Sequence, residues 1–401
     1  MSRLGGAFLL GLGVTAAALV FGSRSLGVAG VGLLLAAGAV RLWAGFVREP
    51  VLVRHVAEPA PATEGNRVFL AVEARRGSGM PVASALVRGS LGRLGAYECR
   101  LRGHRRTLSG TIALGRMPRG RFPVSDVELV LGDHLGLESV SLPVAESTAI
   151  VVHPRLVQLA TLFSEAGRRG ADGRRLLLRR PSGFDFHSVR EYEQGESLRR
   201  VHWPTTARRG QLMVKELDDA PRDSVVVLLD CHETGSVGDP PDSSFDTAVR
   251  AAGSVLRLYA ARGRRSMLVT TGASPAVVDV CSLRGDFRAA LDTLAAAESD
   301  GRLTIAQALV HEHGPAARAG ELVVVTATLD PVALEALSAA AARRLVSVVW
   351  VDAPSFAGRP TRAVPGLLRL SAAGVPVAVI RKGDDLAAAL DAPRSEAVAH
   401  G

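Results

Sequence analysis

The amino-terminal part of the chain is almost entirely apolar and falls into two runs. From Leu4 to Val47 there is no acidic residue, and the only charges are Arg24 and Arg41. A short polar break at residues 23–25 separates the runs, and each is close to the roughly 20 residues that cross a bilayer as a helix. Both runs contain several glycines, which allow helices to approach closely. The pattern predicts a transmembrane helical hairpin over residues 1–48.

The basic residues around this hairpin indicate its orientation. Arg3 precedes it, Arg41, Arg48 and Arg54 lie at or after its end, and the connecting turn carries Arg24 alone. Because cytoplasmic segments are enriched in Arg and Lys, both ends are expected in the cytoplasm, together with the rest of the chain. The alternative is a signal peptide cleaved after residues 16–18, with the second run kept as an anchor and the remainder exported.

Residues 49–155 show a different pattern, in which short apolar runs alternate with Gly, Pro and Arg. This spacing is typical of a small antiparallel β-sandwich-like domain. Residues 116–122 and 132–137 contain the Gly and Asp that favour turns, and both are interpreted as connections between strands. The apolar runs assigned to strands are 67–74, 81–86, 108–114, 127–131, 140–144 and 149–153.

From residue 222 to 395 continuous apolar runs alternate with segments of helical periodicity. Strands are predicted at 224–229, 266–270, 321–326, 345–351 and 377–380, and helices at 245–262, 287–297, 331–343 and 384–390. Unbroken apolar strands between amphipathic helices indicate α/β architecture with a doubly wound, mostly parallel sheet. Ligand sites in such folds lie at the carboxyl ends of strands. Asp230, Thr270 and Thr271 fall at such ends, and Asp330 lies just beyond another.

Charge and cysteine content narrow the function classes. The net charge is +9, and it comes almost entirely from arginine, since Lys215 and Lys382 are the only lysines. No recognised nucleic-acid-binding module accompanies this charge, so nucleic acid is not expected as a partner. The three cysteines, Cys99, Cys231 and Cys281, have neither the number nor the spacing of a disulfide framework or a zinc site.

Residues 156–221 connect the two predicted domains and contain two unusual stretches. The first, 165–181, is rich in arginine and is interpreted as a basic loop. The second, 184–216, places Tyr192 and Trp203 among six basic and five acidic side chains. Two interpretations fit it: a self-satisfied ion-pair network in which both aromatics anchor the segment on the sheet, or a contact surface for a partner. The residues concerned are Arg190, Glu191, Tyr192, Gly195, Arg199, Arg200, Trp203, Arg208 and Lys215.

The second stretch resembles the signature of the bacterial "domain of unknown function 58" family. The matching residues are His187-Ser-Val-Arg-Glu-Tyr192, Gly195-Glu196, Leu198-Arg-Arg-Val-His-Trp203, Ala207-Arg208 and Leu212-Met-Val-Lys-Glu216. Turns ending at Phe122 and Leu137, the run Val151-Val-His-Pro154 and the apolar amino terminus also fit. The chain departs from the family pattern at Glu196, where Asp is usual, and at His202, where an acidic residue is usual.

The resemblance implies that residues 222–395 form a von Willebrand factor A-like domain. Such domains hold a magnesium ion with an Asp-x-Ser-x-Ser loop after the first strand, helped by residues on later loops. Here the loop reads Asp230-Cys-His-Glu-Thr234, and His232 replaces the first hydroxyl with an imidazole, a poor ligand for this cation. The loop is therefore expected to be degenerate and to hold no cofactor. If Mg²⁺ does bind, Asp230, Thr234 and Asp330 are the expected ligands.

The resemblance also implies a partner, because similar proteins are associated with MoxR-type AAA+ ATPases. The sequence contains no nucleotide-binding loop, activated serine or paired catalytic carboxylates in a defined motif. The chain is therefore interpreted as a membrane-anchored, non-enzymatic adaptor that works with such an ATPase and contacts the lipid bilayer through its hairpin. The alternatives are a metal-dependent hydrolase that uses Asp230 and a structural protein of the cell envelope.

The predicted orientation leads to a first testable outcome. Trypsin added to intact spheroplasts should leave the chain beyond Val47 uncut, because the inner face of the membrane shields it, and should digest it after the membrane is permeabilised. Immunoblotting against the carboxyl-terminal part measures this directly. Digestion in intact spheroplasts, at the rate of a known exported protein, would contradict the cytoplasmic placement.

Overall fold

The structure of the chain, a computed structural model, describes residues 3–104, 106–145, 148–165, 186–191, 203–217, 224–283, 285–310, 319–359 and 365–391. The chain divides into two units, Met1–His153 and Pro154–Gly401, and each is described by itself.

Two apolar helices begin the first unit, as the hydrophobic pattern predicts. Helix α1 spans Arg3–Phe21 and α2 spans Arg24–Val47, and both are long and apolar enough to cross a membrane. They pack closely where glycine meets threonine, since a Cβ atom at Gly30 would lie only 2.7 Å from the backbone nitrogen of Thr15. The hairpin therefore depends on a residue without a side chain at position 30.

Helix α2 continues directly into the core of the β domain. The indole Nε1 of Trp43 donates a hydrogen bond of 2.9 Å to the carbonyl oxygen of Pro81. Trp43, Ala44 and Val47 are buried with the apolar residues of the strands. The last turn of α2 is thus part of the domain core, and only residues 48–50 separate it from the first strand.

Nine strands of the first unit form one hydrogen-bonded sheet around a single apolar core, which gives the sheet a barrel-like form. The path runs β1-β3-β6-β5-β4-β7-β9-β2, with β8 paired to β7. All pairs are antiparallel except β2 with β9. The strands are β1 Val51–Glu58, β2 Ala62–Thr63, β3 Arg67–Arg76, β4 Ser84–Leu91, β5 Ala96–His104, β6 Thr107–Arg116, β7 Gly120–Gly132, β8 Ser139–Pro143 and β9 Ala149–His153.

Several details of the β domain differ from the sequence prediction. Strands β1, β2 and β5 are not predicted, and the strand predicted over 81–86 is found as β4 over Ser84–Leu91. In β1 and β5, charged residues alternate with apolar ones, which weakens the apolar signal. The connection predicted over 116–122 is shorter, since β6 ends at Arg116 and Phe122 is a fully buried residue of β7. The turn after Gly132 is confirmed: the Asp133 carboxylate accepts hydrogen bonds from the backbone nitrogens of Leu135 and Glu138, at 2.5 and 2.6 Å.

The second unit contains a six-stranded sheet of order β14-β13-β12-β15-β16-β17. Its pairs are parallel except β13 with β14, which is antiparallel. Its strands are β12 Val225–Leu229, β13 Ser266–Thr270, β14 Ala276–Val280, β15 Glu321–Thr326, β16 Leu345–Val351 and β17 Val377–Ile380. A separate antiparallel pair joins β10 Phe186–Glu191 to β11 Met213–Leu217.

The helices of the second unit that follow residue 224 contribute to two apolar clusters, and each cluster contains alternate residues of the same strands. Val225, Val227 and Leu229 belong to one cluster, whereas Val226 and Leu228 belong to the other. Both faces of the sheet are thereby covered, as its unbroken apolar strands require. The helices are α3 Trp203–Arg209, α4 Ser244–Ala261, α5 Asp286–Ala296, α6 Ile305–Val310, α7 Pro331–Ala341, α8 Ala353–Phe356, α9 Pro365–Ala372 and α10 Leu386–Leu390.

The predicted α/β class is confirmed, and five strand positions agree with the structure to within a residue or two. The antiparallel edge strand β14 and the short helices α6, α8 and α9 were not predicted. Residues 156–165, assigned by sequence to the connector, pack on α4 instead. Leu159 and Leu162 are buried there, and the backbone nitrogen of Val157 donates to the Ser254 hydroxyl at 3.0 Å.

The close approach at Gly30 generates a second testable outcome. The Ala18 Cβ lies 3.8 Å from the Cβ position of Gly27, which is the usual separation in a disulfide. An Ala18→Cys, Gly27→Cys double variant with the exposed Cys281 changed to Ser should therefore oxidise efficiently to an internal disulfide. Adding Gly30→Leu should lower the yield severalfold, because its side chain overlaps Thr15.

The matched control for this experiment is Gly32→Leu, because a Cβ atom at Gly32 would have no neighbour within 4 Å. The yield, measured by the mobility shift on reduction, should be unchanged by this substitution. Equal effects of Gly30→Leu and Gly32→Leu would contradict the packing described.

Candidate functional site

The carboxylate of Asp230 links the ends of two neighbouring strands. Asp230 directly follows the buried strand β12 at the carboxyl end of that strand, and only 5% of the residue is exposed. Its Oδ2 accepts hydrogen bonds from the hydroxyls of Thr326 and Thr328, both at 2.7 Å, at the end of the adjacent β15. Its Oδ1 accepts from the backbone nitrogen of His232 at 3.0 Å. We name Asp230, Thr326 and Thr328 the strand-end clasp.

The residues that follow Asp230 are also tied to the other neighbouring strand. The backbone nitrogen of Cys231 donates to the Thr271 hydroxyl at 2.9 Å, just after β13. The Cys231 carbonyl accepts from Gly301 N at 2.9 Å, and the Cys231 thiol is buried 3.7 Å from the Leu229 carbonyl oxygen. Cys231 is therefore a buried core residue whose thiol lies beside the Leu229 carbonyl oxygen.

The other predicted metal ligands have separate local partners. The Thr234 hydroxyl lies 2.8 Å from Nδ1 of His232 at the exposed start of a short 3₁₀ turn. Asp330 caps helix α7, where its Oδ1 accepts from the backbone nitrogen of Ala333 at 2.6 Å. Among the described residues, no group of three or more His, Cys, Asp and Glu side chains is placed to hold a metal ion.

The strand-end clasp offers oxygen atoms, which are the ligands that Mg²⁺ prefers. Both oxygens of Asp230 already accept hydrogen bonds from the protein, however, and the hydroxyl groups of Thr326 and Thr328 lie at hydrogen-bonding distance from one of them. An ion at this carboxylate would share its oxygens with those hydrogen bonds. Magnesium binding by Asp230, Thr234 and Asp330 therefore stays a prediction.

Sequence reasoning missed several polar residues at the same edge of the sheet. Thr326 and Thr328 were not singled out, nor was Asp352, which follows β16 and is almost completely buried. The Asp352 Oδ2 lies 3.8 Å from Nε of Arg381, at the end of β17. The signal that selected Asp230, a polar residue directly after an unbroken apolar strand, also applies to Thr326 and Asp352.

The family signature contains the antiparallel strand pair β10–β11 and the helix α3 between these strands. Arg190 pairs with Val214 across the two strands, Glu191 with Met213, and Lys215 with Val189. The Thr206 hydroxyl of α3 accepts from the backbone nitrogen of Met213 at 3.0 Å, which fixes the helix to β11. The remaining predicted signature residues, Tyr192, Gly195, Arg199 and Arg200, lie outside the described residues.

Trp203 is exposed rather than buried, so its side chain does not support the first interpretation, and both interpretations of the signature stay predictions. Its side chain is 64% exposed, and Arg208 on the same helix is exposed as well. Trp203 is the first residue of the seven-residue α3, and the contact with β11 is made one turn later by Thr206. A large aromatic side chain and a basic side chain therefore share an accessible helix.

The clasp geometry generates a third testable outcome. Asp230→Asn should weaken local stability by about 1–3 kcal/mol, because the amide presents a donor where the carboxylate accepts, or leaves hydroxyl donors unsatisfied. Hydrogen exchange of the amides in β12 and β15 measures this loss. Asp330→Asn is the matched control and should be nearly neutral, because Asn is an equally good N-cap.

Added magnesium distinguishes a clasp from a metal site. Millimolar Mg²⁺ should leave amide exchange in β12 and β15 of the wild type unchanged. A Mg²⁺-dependent increase in protection that disappears in Asp230→Asn would overturn the purely hydrogen-bonded account.

Comparison with known proteins agrees with the sequence resemblance over the second unit. Residues 188–360 match the sequence model of a family described as "Protein of unknown function DUF58". The "Uncharacterized protein YeaD" of Bacillus subtilis (strain 168) is 26% identical over 276 residues, which cover 66% of this chain and 67% of that protein. Among solved structures, Cwp6 from Clostridium difficile aligns over 84% of this chain and 38% of its own, at 10% identity and a TM-score of 0.19. The similarity to the family of unknown function therefore includes β10, α3, β11 and the strand-end clasp.

Proposed function

We propose that this protein is a membrane-anchored, non-enzymatic adaptor that binds a protein partner through the exposed face of α3. The observation that carries the proposal is the exposure of Trp203, one of only three tryptophans in the chain. Large aromatic and guanidinium side chains are enriched in binding hot spots, and α3 exposes both kinds, at Trp203 and Arg208.

The local fold supports a binding role for α3. The Thr206–Met213 hydrogen bond holds α3 against strand β11, so the helix that carries Trp203 and Arg208 has a fixed position. Preorganised side chains lose less conformational entropy when a partner binds. A short helix fixed in this way is therefore suited to recognition.

The proposal assigns a von Willebrand factor A-like fold to residues 222–395. Three features support this assignment: the strand order, the antiparallel edge at β14 and the aspartate that follows β12. The hydrogen bonds of Asp230 support a structural role for this carboxylate, which is compatible with a domain that binds another protein.

The membrane and partner assignments complete the proposal. The two apolar helices support a two-span anchor, and the arginines that flank them support a cytoplasmic location for the remainder. A MoxR-type AAA+ ATPase is proposed as the partner on the strength of the family resemblance. Within this proposal the adaptor links the ATPase to the membrane.

The proposed contact generates a fourth testable outcome. Trp203→Ala should reduce the amount of MoxR-type ATPase that crosslinks to the full-length protein by about tenfold, which corresponds to about 1.4 kcal/mol. The crosslinked material is quantified by mass spectrometry from cells producing equal amounts of each variant. Leu283→Ala is the matched control, because Leu283 is also an exposed apolar residue of the second unit.

Two outcomes of this crosslinking experiment would contradict different parts of the proposal. Equal recovery of the ATPase with Trp203→Ala, Leu283→Ala and wild type would remove Trp203 from the contact. Failure to recover a MoxR-type ATPase with any of the three would contradict the proposed partner.

A further inference from the structure

The end of the β domain that meets α2 is defined by several strand ends. At this end β1 begins and β3 ends, with Leu52 paired to Arg75. The start of β4 and the end of β7 lie together, with Ser84 paired to Gly132. The Trp43–Pro81 hydrogen bond places the loop between β3 and β4 against α2. We call this the helix-proximal end of the domain.

The length of α2 fixes where this end would lie along a bilayer normal. The part of α2 before Trp43, from Arg24 to Leu42, measures about 28 Å at 1.5 Å per residue. The hydrocarbon core of a bilayer is about 30 Å thick, so this part alone is sufficient to cross it. The first contact between α2 and the β domain, at Trp43, therefore falls at the membrane–water interface, where Trp is enriched.

The helix-proximal end also exposes apolar side chains in two different elements. Leu52 of β1 is 76% exposed, and Leu135, in the turn between β7 and β8, is 59% exposed. On the last turns of α2, Leu42 and Phe46 are also exposed, whereas Trp43 and Val47 are buried. Exposed leucines next to a membrane-spanning helix are close enough to the bilayer to insert into the membrane–water interface.

Exposed arginines lie at the same end of the domain as these apolar residues. Arg48 directly follows α2, Arg54 lies two residues after Leu52 on the same face of β1, and Arg106 adjoins the start of β6. Arg75, directly opposite Leu52, has an exposed guanidinium that also pairs with Glu73 at 2.9 Å. Arginine binds phosphate groups through paired N–H donors, so these side chains suit lipid headgroups.

From these observations we propose that the helix-proximal end of the β domain rests on the bilayer, with Leu52 and Leu135 inserted at the interface and Arg48 and Arg54 bound to anionic phospholipid headgroups. The proposal rests on the membrane anchoring proposed above. It adds a second membrane contact to the hairpin, and it makes the orientation of the domain a consequence of the Trp43 packing. Basic residues close to an anionic membrane surface are attracted to it.

Positive charge alone does not identify the helix-proximal end as the membrane-contacting end. The opposite end of the same sheet also carries exposed arginines, including Arg67 and Arg116, which are cross-strand partners. What distinguishes the helix-proximal end is the direct attachment of α2 and the two highly exposed leucines. The opposite end therefore supplies the controls.

The test places a fluorescent probe at four positions of the full chain in vesicles. The variants Leu35→Cys, Leu52→Cys, Leu135→Cys and Phe69→Cys are made with Cys281→Ser, because the other native cysteines are buried. Each is labelled with an NBD fluorophore and reconstituted with phosphatidylcholine, phosphatidylglycerol and a lipid bearing a quencher near the headgroup. Phe69 is exposed and lies about 20 Å farther along the sheet than Leu52, since β strands rise about 3.3 Å per residue.

Quenching at least about twice as strong at positions 52 and 135 as at position 69 is expected. The same quenching at 52 and 135 as at 69, with strong quenching by acyl-chain quenchers at position 35, would overturn the inference and leave the anchor intact. Absence of quenching at position 35 would overturn the anchor as well. The two failures are thus distinguishable.

A second measurement tests the headgroup contact. Replacing phosphatidylglycerol with phosphatidylcholine should reduce quenching at position 52, and Arg48→Gln with Arg54→Gln should produce the same reduction in phosphatidylglycerol. Arg67→Gln with Arg116→Gln is the matched control and should leave quenching unchanged. Equal effects of the two double variants would show general electrostatics and contradict a headgroup site at the helix-proximal end.

Discussion

The packing of the last turn of α2 into the β-domain core is the constraint on which the account of the first unit depends. The Trp43 indole donates a hydrogen bond to the Pro81 carbonyl oxygen, and Ala44 and Val47 are buried among strand residues. An anchor joined by a long linker would let the domain rotate freely. Here a rigid helix enters the core, so the orientation of the domain follows from the orientation of the helix.

The clasp at Asp230 plays a comparable role in the second unit. Parallel sheets bring polar residues together at their carboxyl ends, and proteins commonly use that edge for ligands. In this chain the carboxylate at that edge joins two strands through hydroxyl groups. The carboxylate therefore contributes to cohesion between these strands. The proposed partner contact rests on a different feature, the exposed Trp203 of α3.

The sequence predicted most of the α/β unit because its signals were strong. Strands such as Val225–Leu229 are buried on both faces and appear as unbroken apolar runs. Strands exposed on one face were harder to recognise: β5 has charged residues at alternate positions, and Asp279 interrupts the apolar run of β14. Their pairing depends on neighbouring strands, which single-sequence periodicity does not contain.

The candidate site was predictable only in part for the same reason. Asp230 was identifiable from its position after a buried strand, but its partners depend on the register that pairs Leu229 with Val325. The exposure of Trp203 likewise depends on where α3 begins relative to β11, and the sequence alone favoured burial of such a large aromatic residue. The sequence therefore identified the polar and aromatic residues of the candidate site. Their hydrogen-bond partners and their exposure depend on how the strands and helices pack in the folded chain.

The central claim, that α2 and the β domain move as one body, is tested most directly by a pulsed electron–electron double resonance distance. Nitroxide labels at Leu35→Cys on α2 and Phe69→Cys on β3, in a Cys281→Ser chain reconstituted in vesicles, report the separation across the junction. The account predicts a single narrow distance distribution that broadens in Trp43→Ala, which removes the bond to Pro81 and the buried indole. A broad distribution in the Trp43-containing chain would contradict it.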